Sequence, residues 1–254
     1  MSNITGNTAT NATATTRGQL GRYALWQFAD FVKQRGALIL VLGSLCGWFM
    51  LLPLYRISNG NPQLLAVAAT SWMKMFAPIF VVFAMARLVS VDRASGAFRF
   101  LFSKPISVVR FYTQLVAIHF VAYLACWLVL LGVAWACGVH IPFDVTLLNA
   151  AIIFIALGGL YFIASVLTTH DLMAATGVWI VSYIVYNVWG DDSGIKGTLV
   201  HILPPMHKLG ALTRGGLGDF MSFDPSAAWW LVGYGLGCFL VGIVVLARKP
   251  LAAG

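Results

Sequence analysis

The residue types that carry most enzyme chemistry are scarce in this chain. Its 254 residues include eight acidic residues, all of them aspartate, and five histidines. The lack of glutamate excludes zinc proteases of the HExxH type and sites built on paired glutamates. The sequence also contains no G-x-S-x-G stretch and no G-x-x-x-x-G-K-[ST] phosphate-binding loop. An enzyme is therefore the least favoured function, and we expect no catalytic residue, metal or cofactor on this chain.

One short connection holds most of the residues that stand out. It contains four of the sixteen basic residues, namely Arg93, Arg99, Lys104 and Arg110, and a fifth, Arg87, lies just before it. Its order is an acid–base pair, a glycine, an apolar run and a polar end with a proline: Asp92, Arg93, Gly96, then Phe98, Phe100, Leu101 and Phe102, then Ser103, Lys104 and Pro105. A short apolar helix between glycine and proline suits docking on a soluble partner. Phenylalanines beside a membrane can instead lie in its interface, and the pattern leaves both interpretations open.

Lys74 is a basic residue in the interior of the predicted membrane segment 64–89. A buried ammonium group is costly there, so such residues commonly serve a function or extend toward the headgroups. Trp72 lies close by and favours the headgroup interpretation, while a place on a polar translocation path remains the alternative.

The composition predicts an all-α integral membrane protein. Hydrophobic residues make up 60% of the chain and charged residues 9%, against about a quarter charged in soluble domains. Six apolar segments are long enough to cross a bilayer as helices. They cover residues 37–55, 64–89, 111–138, 147–167, 172–189 and 229–247.

Two further parts flank and interrupt these spans. Residues 1–16 are rich in Thr, Asn and Ala and are predicted to be a disordered tail. Residues 17–36 have helical apolar spacing and predict an amphipathic helix on the membrane surface, with the start of the first span as the alternative. The long connection 190–228 is expected to contain one or two short helices.

The distribution of Lys and Arg predicts the orientation of the chain. With the amino terminus in the cytoplasm, eleven basic residues fall inside and four outside. Both termini and the connection 90–110 are then cytoplasmic, and the connection 190–228 is external. The net charge of +8 follows from this topology, so we expect membrane lipids as partners and no nucleic acid.

The stretch "DRASGAFRFLFSKPIS" resembles the first cytoplasmic loop of ABC-2 type permeases, the membrane subunits of ATP-binding-cassette exporters. The family order is matched at Asp92, Arg93, Gly96, Ser103, Lys104, Pro105 and Ser107. The departures are Asp92, where the family usually has Glu, and Ala97, where Thr is common.

This resemblance implies an ABC-2 (type V exporter-like) permease fold in residues 37–254. It implies that the loop 90–110 carries a coupling helix for a separate ATPase subunit, which binds ATP and Mg. The lesser contact falls on Thr169, His170 and Asp171, in the second cytoplasmic loop. A second permease copy or a sister permease completes the transporter, in a bacterial or archaeal plasma (inner) membrane. The alternative is a structural or assembly subunit that keeps this fold without transport.

Overall fold

The computed structural model of this chain describes residues 23–57, 61–94, 107–189, 200, 203–205, 208–209, 212 and 225–248. In these ranges every regular element is helical. The helices are α1 (Ala37–Ile57), α2 (Pro62–Met85), α3 (Ser90–Ala94), α4 (Val108–Ala136), α5 (Phe143–Leu167), α6 (Asp171–Trp189) and α7 (Pro225–Arg248).

Residues 23–31 are helical and run without a break into α1 through a π-helical turn, Val32–Gly36. The residues on either side of this turn, Phe31 and Ala37, both have right-handed helical backbone angles. The described part of the predicted surface helix 17–36 is therefore continuous with the first predicted span. Its position relative to a membrane surface stays a prediction.

The helices have the length and composition of membrane spans. Among the described residues, five helical segments are long and apolar enough to cross a bilayer: Met75–Asp92, α4, α5, α6 and α7. The expectation of an all-helical, multi-pass membrane protein is met at this level. α1 covers the first predicted span with 21 residues, while the count of six spans and the cytoplasmic termini stay predictions. The predicted tail 1–16 lies outside the described residues.

α5 is the central helix and α6 the most peripheral. Of the residues in the most apolar window of α5, 78% are buried inside the protein, against 11% for α6. α5 accordingly presents large, fully buried rings to its neighbours, among them Phe154, Tyr161 and Phe162. The connection 190–228 adds Val200, Leu209 and Leu212 to the buried residues.

Two glycines bring α5 and α7 into backbone contact. A Cβ atom on Gly235 of α7 would lie 2.8 Å from the Cα of Ala156, and one on Gly159 of α5 would lie 3.0 Å from the Cα of Gly235. Small residues at such crossings let helix backbones approach closely, which is a main source of packing energy where lipid removes the hydrophobic drive. The crossing fixes α7 against the central helix.

This crossing can be tested with a matched pair of glycines on α7. We expect Gly235→Ala to lower the free energy of unfolding by about 2–3 kcal/mol, because the new methyl group meets backbone that cannot give way. Gly233→Ala is the control, since nothing in the described structure lies within 4 Å of its added Cβ. The measurement is the unfolding midpoint of each purified variant in detergent micelles. Equal midpoints for the two variants would contradict the packing.

Candidate functional site

The turn that follows α2 contains a residue with a left-handed backbone. Arg87 has φ of 61° and is the only residue other than glycine with positive φ among the described residues. This conformation costs an L-residue about 1–2 kcal/mol, so its surroundings have to hold it. The turn 86–89, called here the Arg87 turn, redirects the chain from α2 into α3 and lies within the candidate span Met75–Asp92.

Two side chains from the hairpin of α5 and α6 accept hydrogen bonds from the Arg87 turn and from Ser90, the residue that follows it. Asp171 Oδ2 accepts hydrogen bonds from the Arg87 N–H at 2.6 Å and from the Ser90 hydroxyl at 3.1 Å. Ser165 Oγ accepts from the N–H groups of Val89 and Ser90, at 2.8 and 3.0 Å. Asp171 is 2% exposed and Ser165 fully buried. The N–H groups that the helix break leaves without a helical partner are thus hydrogen-bonded to buried side chains of the α5–α6 hairpin.

A carbonyl group at the same break accepts hydrogen bonds from two basic side chains. Ala84 O, near the end of α2, accepts hydrogen bonds from Arg35 Nη1 at 2.5 Å and from His119 Nδ1 at 2.8 Å. A carbonyl oxygen can only accept, so Nδ1 of His119 carries a proton. The cationic Arg35 also complements the dipole at the carboxyl end of α2. Burial lowers the pKa of Arg35, and the carboxylates of Asp30, Asp171 and Asp92 partly offset this effect.

A separate hydrogen bond joins the two ends of the connection between α3 and α4. The buried Tyr112, near the start of α4, donates its hydroxyl to Asp92 Oδ2 in α3 at 2.9 Å. The neighbouring Phe111 ring lies 6.1 Å from the ring of Tyr23 in the N-terminal helix. The chain therefore enters and leaves the connection at one anchored point.

The described residues contain part of the predicted coupling site. Asp92 is half-buried, and Arg93 lies in the short helix α3 with its side chain not described. The remaining predicted coupling residues, Gly96, Phe98, Phe100, Leu101, Phe102, Ser103, Lys104 and Pro105, lie outside the described residues. Lys74 lies in α2, and its side chain is not described either.

The second predicted contact divides into an exposed and a buried part. Thr169 and His170 are exposed in the short connection between α5 and α6. Asp171 faces inward and binds the Arg87 turn instead. The structure thus brings the two predicted cytoplasmic connections together, through a residue that the sequence had assigned to an external partner.

Several residues of this network carry no individual signal in the sequence. Ser165 lies in an apolar run like many structural serines, and nothing in the sequence marks Arg87 as left-handed. In the sequence, Phe111 and Tyr112 indicate only the start of the predicted span 111–138. The sequence predicts these contacts only through the general rule that polar groups in membrane helices need partners.

The described part of the chain holds no group of three or more His, Cys or Asp that could bind a metal ion. Comparison of the chain with protein-family models, with curated proteins and with solved structures finds no match. The family resemblance therefore depends on the residues of the 92–107 motif themselves. The site that the structure adds is the set of hydrogen bonds around the Arg87 turn.

Ser165 and Ser182 form a matched pair of buried serines. Ser165→Ala leaves the N–H groups of Val89 and Ser90 without their acceptor, and we expect a loss of about 2–4 kcal/mol. Ser182 donates only to Val178 O in its own helix, so Ser182→Ala is expected to cost less than about 1 kcal/mol. Unfolding midpoints in detergent micelles measure both. A loss as small for Ser165→Ala as for the control would remove Ser165 from the network.

Tyr112 and Tyr183 provide a second comparison. Tyr112→Phe removes the hydroxyl bound to Asp92, and we expect a loss of about 1–2 kcal/mol because a charged acceptor loses its donor. Tyr183 is 59% exposed against 0% for Tyr112, and Tyr183→Phe should change stability by less than about 0.5 kcal/mol. The unfolding midpoints of the two variants in detergent micelles measure this difference. Equal midpoints would refute the Tyr112–Asp92 bond.

Proposed function

We propose that this chain is the permease subunit of an ATP-binding-cassette transporter of the ABC-2 class, working as an exporter. The observation that carries the proposal is the motif of Asp92 and Arg93 followed by Gly96 and the polar end Ser103–Lys104–Pro105. Five closely spaced basic residues satisfy the positive-inside rule, but that rule does not require this order of acid, glycine, phenylalanines and proline.

The contacts around the motif support a role in transmission. The segment that follows α3 is anchored at its entry and exit by the Asp92–Tyr112 bond. Just before it, the Arg87 turn is bound to the central helix α5 through Ser165. Movement imposed on the connection by a partner would therefore reach the core of the protein through hydrogen-bonded, buried groups.

The expected mechanism divides the work between chains. A separate ATPase subunit would bind ATP and Mg, and closure of two such subunits would displace the coupling segment of each permease. The spans would then alternate between inward-facing and outward-facing states, with ATP biasing the equilibrium. This chain would contribute six spans with both termini in the cytoplasm, in a bacterial or archaeal plasma membrane.

The exposed apolar face of α6 supports a place beside lipid or a second membrane subunit. Ile180, Val181, Tyr183, Ile184 and Val188 are each more than half exposed. Side chains of this kind are not left in water by a folded membrane protein. A second permease copy or a sister permease is the partner that the proposed transporter requires.

The proposal is tested by gentle detergent purification of the chain from its native membrane, with identification of the proteins that remain bound. We expect a stoichiometric ATPase subunit. Phe100→Asp together with Phe102→Asp should abolish its recovery, because charges replace the apolar docking residues. Phe220→Asp together with Phe223→Asp, in the predicted outer connection, is the matched control and should leave recovery unchanged.

Two results would contradict the proposal. Recovery of the chain without any ATPase, or within a large unrelated assembly, would favour the structural-subunit alternative. An ATPase lost equally from both double variants would show that the phenylalanines of the motif have no specific role in docking.

A further inference from the structure

The structure joins the two predicted cytoplasmic connections at a strained point. Arg87 has the left-handed backbone, and its own N–H group donates to Asp171, the first residue of α6. Leu88, Val89 and Ser90 are each at most 5% exposed. Residues held in a disfavoured conformation persist where the surroundings over-determine them, and here the surroundings are two side chains of the α5–α6 hairpin.

We propose that Asp171 is a positioning residue that holds the Arg87 turn in its bent form, so that residues 86–94 move as one body with the α5–α6 hairpin. The direction in which the chain leaves α2 toward the coupling motif is then set by α5 and α6. The inference deepens the proposed function and depends on it only for the identity of the partner that pulls on the connection.

The burial of Asp171 separates this role from direct contact with a partner. Its carboxylate is 2% exposed, and its neighbours Thr169 and His170 carry the exposed surface of the same connection. Asp171 also accepts the N–H of Leu172 at 2.9 Å, so a purely local role in starting α6 is the competing explanation. The test has to distinguish the two.

Hydrogen exchange of the full chain in detergent micelles gives that test. In the wild-type chain the amides of Val89 and Ser90 should be protected. Asp171→Ala should raise their exchange rates about tenfold or more, because the turn loses the acceptor that offsets the left-handed strain. Unchanged protection at both amides would overturn the proposal.

A second substitution separates positioning from a local role in α6. Glycine adopts positive φ without steric cost, so Arg87→Gly in the Asp171→Ala background should restore most of the protection. Arg87→Ala in the same background removes the same charge but keeps the strain, and should restore none. Failure of the glycine rescue, or equal rescue by alanine, would show that Asp171 acts only on α6.

Hydrogen exchange in the complex with the ATPase subunit tests the proposal in its functional setting. With a co-purified ATPase, nucleotide should change exchange in residues 86–94 and 168–174 together in the wild type, and in residues 86–94 alone in Asp171→Ala. Coupled changes that survive Asp171→Ala would overturn the proposal. If no ATPase is recovered but the rescue succeeds, the proposed function fails while the positioning role stands. If an ATPase is recovered but Asp171→Ala has no effect on hydrogen exchange, the proposed function stands and the positioning role of Asp171 is refuted.

Discussion

A helix that breaks at a buried place leaves amide and carbonyl groups that water cannot reach, and this constraint governs the structure around Arg87. The break frees N–H groups on one side and a carbonyl on the other. Asp171 and Ser165 meet the amides, while Arg35 and His119 meet the carbonyl of Ala84. Four separate parts of the chain have to converge on one turn. Their packing is therefore fixed by hydrogen bonds between buried or partly buried groups.

The central helix α5 makes this convergence rigid. Near one end it carries Ser165, which binds the amides after Arg87, and near its middle it carries Gly159, where the backbone of α7 approaches. Packing at backbone distance leaves little room for the two helices to slide. A displacement that reaches Ser165 is consequently shared by α5 and α7, whereas the peripheral helix α6 follows through its start at Asp171.

The sequence predicted the helical membrane class because apolar length and charge scarcity are properties of whole segments. It placed Asp92 and Asp171 in two connections that the structure brings together. It did not predict the Arg87 turn, since the segment 64–89 is apolar until its end apart from Thr70, Ser71 and Lys74, and arginine has no preference for positive φ. It also assigned Asp171 an outward role, because a polar residue between two spans is indistinguishable in sequence from one that folds back. Hydrogen bonds between distant segments have no local pattern to read.

The choice of side chains at the turn indicates how much the position matters. Asp171 accepts hydrogen bonds from the N–H of Arg87, the hydroxyl of Ser90 and the N–H of Leu172. An amide side chain has only one acceptor oxygen, so only a carboxylate can meet all of these donors at this place. Burying a carboxylate is costly unless it is hydrogen-bonded, and these three donors meet that need. A connection that had only to satisfy the positive-inside rule would need neither the buried charge nor the strained arginine. Their combination is accounted for if the direction of the chain after α2 is itself the feature that the fold maintains.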